Sequence, residues 1–307
     1  MSAALKLKGG IVCAVVTPFT TAGAPDVDAL TTLIDFQIEC GVDGIFVLGT
    51  TGEGLLCSVS ERQRLTERCL QRAADRVPVV VHCGATDTGT AVELVRHAAV
   101  AGATSVAATA PIFFAYPEAA IYEHFARLAA AAPDVEHYVY DNPERVGFSV
   151  GVPLVTRIVE RLAPFVGVKD TGDSLGKITE YFVRGDAGPQ VYTGNNVIIL
   201  PALLMGARGG VSALANAVPE LFVALHRAFR NGRLDVAREL QLTVARLQAA
   251  IAGVPYVAAV KHLVTRRGLP GGAPRSPLPD LTTEQARSID DRLAAEPVLE
   301  PWLEPVS

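Results

Sequence analysis

The sequence predicts an α/β fold, a (β/α)8 TIM barrel with a C-terminal helical extension, from three observations. Eight short apolar runs alternate with longer amphipathic stretches at an even rhythm. Strands separated by helices pair in parallel through right-handed crossovers, and eight such units close a barrel. After the eighth run the pattern becomes purely helical.

The strands are expected at 11–17, 44–48, 77–83, 105–110, 137–140, 166–169, 190–193 and 209–212. Helices are expected between them, as at 28–40, 60–74 and 90–101. The second opens on Ser58-Val59-Ser60-Glu61, where serine and glutamate can cap the first amides as a capping box. Further helices are expected at 219–230, 234–252, 256–267 and 283–295, with the Pro- and Gly-rich stretch 268–280 as a loop. The expected division is a catalytic barrel over residues 1–218 and a helical extension over 219–307. An open doubly wound sheet is the structural rival.

Composition narrows the function classes. Half of the residues are hydrophobic and 19% are charged, which fits a packed globule. A net charge of −5 provides no electrostatic footprint for nucleic acid or an anionic membrane. No apolar run approaches a membrane span, and residues 1–10 lack the apolar core of a signal peptide. The five cysteines (Cys13, Cys40, Cys57, Cys69, Cys83) show no Cys-x-x-Cys spacing and imply reduced thiols and a cytoplasmic setting. Six scattered histidines form no His-x-x-x-His pair, so no metal site is expected.

The residue that carries most chemistry is Lys169. The run Phe165-Val166-Gly167-Val168-Lys169-Asp170-Thr171 reads as an apolar strand with an amine near its C-terminal end, whereas the other four lysines lie at a terminus or on helices. Burying an unpaired ammonium is costly, and an amine in a pocket can attack a ketone to form a Schiff base. The alternative is an edge-strand lysine reaching solvent or paired with Asp170. Barrel enzymes place their sites at the C-terminal ends of strands. Strand two ends there in Gly49-Thr50-Thr51-Gly52-Glu53-Gly54, a turn whose amides and hydroxyls can hold an anion, or a purely structural turn. Strand five ends in Tyr138-Val139-Tyr140-Asp141-Asn142-Pro143, and alternation puts both tyrosines on one face, as catalytic groups or as barrel filling.

Together, Gly49-Thr50-Thr51-Gly52-Glu53, Tyr140-Asp141-Asn142-Pro143 and Gly167-Val168-Lys169-Asp170 closely resemble the dihydrodipicolinate synthase/N-acetylneuraminate lyase superfamily. Thr17-Pro18-Phe19 and the segment 209–216 match as well, so the resemblance runs from about residue 10 to residue 281. It implies a barrel, in a homotetramer built as a dimer of dimers or in a homodimer, that binds pyruvate or another 2-oxo acid as a covalent lysine imine without an external cofactor. It further implies Lys169 as the Schiff-base lysine, Tyr140 as the proton-shuttling phenol and Thr51 beside them. Thr50, Gly49, Gly194 and Val211 are implied around the 2-oxo acid carboxylate.

Two departures bear on which activity is present. The synthases carry a Tyr-Tyr pair after strand four, one member of which crosses a subunit interface to complete a proton relay. This chain reads Ile112-Phe113-Phe114-Ala115-Tyr116, so the relay position is phenylalanine with either alignment, and Tyr116 substitutes only if the loop is rearranged. Conversely, Arg145 aligns with the synthase arginine that meets a distal carboxylate, a task suited to its forked donors; the alternative is a solvated arginine paired with Glu144. Asp141 replaces the usual asparagine. The first expectation is an aldolase or dehydratase for a 2-keto-3-deoxy-sugar-acid or hydroxy-oxo acid. The second is 4-hydroxy-tetrahydrodipicolinate synthase, condensing pyruvate with aspartate semialdehyde. A phosphate-binding barrel isomerase and a non-catalytic binding member remain as readings from other classes.

Overall fold

The computed structural model describes residues 5–183, 185 and 188–306. Eight strands form one closed, all-parallel barrel in sequence order: β1 (Gly10–Ala14), β2 (Gly44–Val47), β3 (Val79–His82), β4 (Ser105–Ala108), β5 (Glu136–Asp141), β6 (Phe165–Asp170), β7 (Gln190–Thr193) and β8 (Gly209–Ser212). Each falls within or beside its expected segment. The first is shorter than expected because a side chain takes over from the neighbouring strand. Val16 N donates to Asn216 Oδ1, and Asn216 Nδ2 donates to Ala14 O, so the backbone is satisfied after β1 outside the ladder.

The intervening helices are α1 (Val27–Glu39), α2 (Val59–Ala73), α3 (Thr88–Val100), α4 (Glu118–Ala131), the single turn α5 (Pro143–Val146), α6 (Val152–Arg161), α7 (Leu175–Glu180) and α8 (Ile199–Met205). The expected capping box opens α2: Glu61 N donates to Ser58 Oγ, and Ser58 N donates to Glu61 Oε2. The later helices are α9 (Pro219–Arg230), α10 (Leu234–Ala250), α11 (Tyr256–Arg266), α12 (Thr283–Ala294) and the short α13 (Glu300–Leu303). Helix α9 packs against both β1 and α10.

Two apolar layers hold the barrel. The inner one, with Val12, Phe46, Val80, Tyr138, Tyr140 and Tyr192, fills the ring of strands. The outer one packs the strands against the helices. Tyr138 and Tyr140 therefore share the interior face, as the alternation required. Among the described residues, no helix is long and apolar enough to cross a membrane.

Candidate active site

The register of β5 and β6 puts Tyr140 directly beside Lys169 and Asp141 beside Asp170. Alternation along each strand turns the first pair inward and the second pair outward. Lys169 is only 7% exposed. Its Nζ stands 3.6 Å from the centroid of the Tyr140 ring and 4.7 Å from that of Phe46. Among the described residues no carboxylate lies within ion-pair distance of it. Asp170, the neighbour in sequence, is engaged elsewhere: its Oδ2 meets Lys177 Nζ at 2.7 Å and its Oδ1 accepts from Gly172 N. Lys169 is thus neither the solvent-reaching lysine nor the paired one.

The Tyr140 hydroxyl closes a triangle. It lies 3.1 Å from Thr50 Oγ1, and Asn142 Nδ2 donates to both oxygens, at 2.9 Å and 3.2 Å. Burial alone raises the phenol's pKa; the Lys169 charge and the hydrogen bonds with Thr50 and Asn142 outweigh it, so the pKa lies below the ordinary phenol value. A phenol so held exchanges a proton more readily than an exposed one.

All eight residues picked from the sequence meet in two adjoining cavities. Lys169, Tyr140, Thr50, Thr51, Arg145, Gly194 and Val211 line one of ≈ 390 Å³. Gly49 lines the second, of ≈ 640 Å³, which shares Thr50, Asn142, Arg145 and Tyr256 with the first. Gly194 lacks a side chain for a reason: a Cβ there would stand 2.5 Å from Thr171 Oγ1. That hydroxyl is buried without a partner among the described residues, and Thr171 lines the lysine cavity. Arg145 lines both cavities but is 54% exposed and pairs with Glu144 at 3.2 Å, so its solvated pairing and its place on the cavity wall coexist. A larger groove between α2 and α3 lies at the N-terminal strand ends, away from these groups.

Sequence reasoning missed several lining residues. Asn142 stood in the quoted motif without a role, and its contacts follow only from where Thr50 lies. Tyr256, at the start of α11, reaches back over the barrel to line both cavities and accepts from Asn196 Nδ2 at 3.4 Å. Nothing local marks it. Burial also pushes its phenol up to about 12. Lys261, read as an ordinary helical lysine, is buried as well. Its Nζ pairs with Glu53 Oε1 at 2.6 Å and donates to Thr17 O and Ala273 O, which ties α11 to the glycine-rich turn.

Asp141 acquires an explanation. Its Oδ1 accepts from Val150 N, its Oδ2 accepts from Ser149 Oγ, and Lys177 Nζ donates to it while also meeting Asp170. One ammonium holds the outward carboxylates at the ends of β5 and β6, directly behind Tyr140 and Lys169. The phenylalanines stand apart from the lysine cavity. Phe113 and Phe114 are 87% and 63% exposed, and Phe113 adopts φ +85°, a conformation that costs a non-glycine residue on the order of 1–3 kcal/mol. Tyr116 sits beside them, lining neither the lysine cavity nor its neighbour.

The sequence profile of the dihydrodipicolinate synthetase family matches residues 7–296. The chain belongs to that family. It is 33% identical over 287 residues, 93% of each chain, to an uncharacterized DapA-like lyase of Halobacterium salinarum. It is 32% identical over 288 residues to the 4-hydroxy-tetrahydrodipicolinate synthase of Chlorobium limicola, covering 94% of this chain and 97% of that one. A prophage protein of the dihydrodipicolinic acid synthase family from E. coli K12, solved in complex with pyruvate, superposes with a TM-score of 0.91 at 26% identity, covering 94% of this chain and 99% of that one. Membership makes the chain a class I lyase, an enzyme whose chemistry runs through a lysine imine.

Proposed function

We propose that the chain is a Schiff-base-forming aldolase or dehydratase acting on pyruvate or a related 2-oxo acid, of the 2-keto-3-deoxy-sugar-acid or hydroxy-oxo-acid type. One observation carries this reading: the buried Lys169 amine has no carboxylate partner among the described residues and lies against the ring of Tyr140, whose hydroxyl bonds to Thr50 and Asn142.

In this reading Lys169 Nζ attacks the C2 carbonyl, and Tyr140 delivers a proton to the carbonyl oxygen to give a carbinolamine. Loss of that oxygen as water leaves an iminium, which draws electrons from C3. In an aldolase the C4 hydroxyl then loses its proton and the C3–C4 bond breaks, releasing an aldehyde and leaving an enamine. Protonation at C3 and hydrolysis release pyruvate. In a dehydratase C3 loses a proton and the C4 hydroxyl departs as water. Proton transfer by a positioned phenol is worth typically about 10²–10⁴ in rate. Thr51 acts beside Tyr140, and Thr50, Gly49, Gly194 and Val211 surround the carboxylate. The exposed Phe113–Phe114 pair supports covering by a second copy of the chain, in a homotetramer or homodimer.

Arg145 favours a second reading, 4-hydroxy-tetrahydrodipicolinate synthase, because it stands on the wall of the lysine cavity, within reach of a distal carboxylate. Phe113 and Phe114 oppose it, since neither ring can pass a proton. Borohydride trapping with pyruvate, followed by peptide mass spectrometry, tests the common mechanism. The expected result is one pyruvate-sized adduct on Lys169, absent from Lys169→Ala. Trapping at another lysine, or turnover by Lys169→Ala, overturns it. Turnover of pyruvate with aspartate semialdehyde, raised by Phe113→Tyr, selects the synthase.

A further inference from the structure

A small polar niche opens off the second cavity, and no step above uses it. His82 ends β3 and Thr109 follows β4, and both line the cavity that shares Thr50, Asn142, Arg145 and Tyr256 with the lysine cavity. A Cβ on Gly84 would stand 2.5 Å from Thr109 Oγ1, 2.7 Å from His82 Nε2 and 2.9 Å from Thr109 N. A side chain at Gly84 would therefore collide with both residues, and glycine is what lets this turn bring His82 Nε2 and Thr109 Oγ1 close together. Both His82 Nε2 and Thr109 Oγ1 are buried with no hydrogen-bond partner among the described residues. Such atoms are costly to leave unpaired, which makes the niche a place awaiting a polar group.

The niche is also held rigidly. Arg62, only 3% exposed, donates to His82 O at 2.8 Å and to Gly84 O at 2.9 Å, fixing both ends of the turn from behind. His82 Nδ1 lies 3.0 Å from Leu48 O. A carbonyl only accepts, so Nδ1 carries the proton. Burial first, then the Arg62 charge, lowers the imidazole pKa to about 3, so the ring is neutral near pH 7. Its Nε2 is consequently a bare acceptor, next to a hydroxyl that can donate or accept. A carboxylate or aldehyde oxygen would face the imidazole lone pair. A hydroxyl fits: it donates to His82 and accepts from Thr109.

We propose that His82 Nε2 and Thr109 Oγ1 form a hydroxyl-binding subsite for the part of the substrate beyond the imine, selecting hydroxylated 2-oxo acids over their deoxy counterparts. This rests on the Schiff-base reading of Lys169 and narrows its substrate class.

The test is half-saturation of borohydride capture with two six-carbon acids, 2-oxohexanoate and 2-keto-3-deoxygluconate. The intact adduct and the pyruvate adduct left after cleavage both count as capture. The wild type is expected to capture the hydroxylated acid at a concentration at least about tenfold lower, as one or two neutral hydrogen bonds allow. His82→Asn keeps a donor for Leu48 O and, being shorter, leaves no acceptor at the Nε2 position; Thr109→Val removes the hydroxyl at constant shape. Each is expected to reduce that preference about tenfold while pyruvate capture stays unchanged, which also reports that the variant is folded. Equal capture of both acids by the wild type, or an undiminished preference in both variants, overturns the subsite. Failure of the wild type to capture even pyruvate overturns the Schiff-base reading, and the subsite with it.

Discussion

Replacing Lys177 by methionine isolates the charge cluster behind the candidate active site. Lys177 Nζ stands 2.7 Å from Asp170 Oδ2 and also holds Asp141, while both aspartates are buried. A unit-charge pair at that distance is worth roughly 6 kcal/mol at an effective dielectric of about 20, before the desolvation that offsets much of it. Removing one partner of a buried pair costs about 3–5 kcal/mol. The lysine side chain retains 18% exposure, which places the expected loss at the lower end, about 3 kcal/mol. Burial lowers the Lys177 pKa, but the two aspartates outweigh that and raise it overall. The stability it contributes is therefore fully present below the ordinary lysine pKa and lost only as pH rises through the higher folded value. At pH 7 the variant should show the whole loss, read as a shift of the urea midpoint at constant slope. Asp141→Asn leaves the Lys177–Asp170 pair intact and should cost less than Lys177→Met, about 1.5–2 kcal/mol. A loss in Lys177→Met below about 1 kcal/mol at pH 7, or an Asp141→Asn variant as unstable as it, would refute the electrostatic account.

Three further expectations test other parts of the fold and site. Tyr140→Phe should lower turnover by about 10²–10⁴ while pyruvate trapping on Lys169 persists, and equal losses in both would remove Tyr140 from the proton-shuttle role. Gly54→Ala should destabilise by about 2–3 kcal/mol or more in urea unfolding, because its Cβ would lie 1.9 Å from the backbone oxygen of Leu48; a change below about 0.5 kcal/mol would mean the turn yields freely. Burial, the largest cause in each case, lowers His82 to about 3 and His124 and His137 to about 4. The unfolded chain takes up those protons near pH 6.5 and the folded chain does not. Stability should therefore fall by about 1.4 kcal/mol per pH unit for each of these histidines as pH drops from 6 to 5, and His137→Gln should take about that much off the measured slope.

Local rules carried the architecture. Apolar runs of strand length at even spacing, separated by helical periodicity, sufficed for eight parallel strands and the helices that follow them. Two-residue alternation put Tyr138 and Tyr140 inside, and position at a strand's C-terminal end singled out Lys169. The motif resemblance then brought Thr50, Thr51, Gly194 and Val211 to the same wall, although they lie on three different strand ends.

What local rules could not carry is pairing across the barrel. A buried lysine looks alike in sequence whether or not a carboxylate meets it. Lys261 is neutralised by Glu53, 208 positions away along the chain, whereas Lys169 has no such partner among the described residues because Asp170 turns outward to Lys177. Phe113 at positive φ, Tyr256 arching back from α11 and the approach of Thr109 to Gly84 likewise depend on which loops meet above the strand ends. The sequence by itself determined the strand order and the residue types at each strand end, because those follow from the periodicity of neighbouring residues. Only the closed barrel decided which of those residues face one another, because that depends on the register between strands and on contacts between segments hundreds of residues apart.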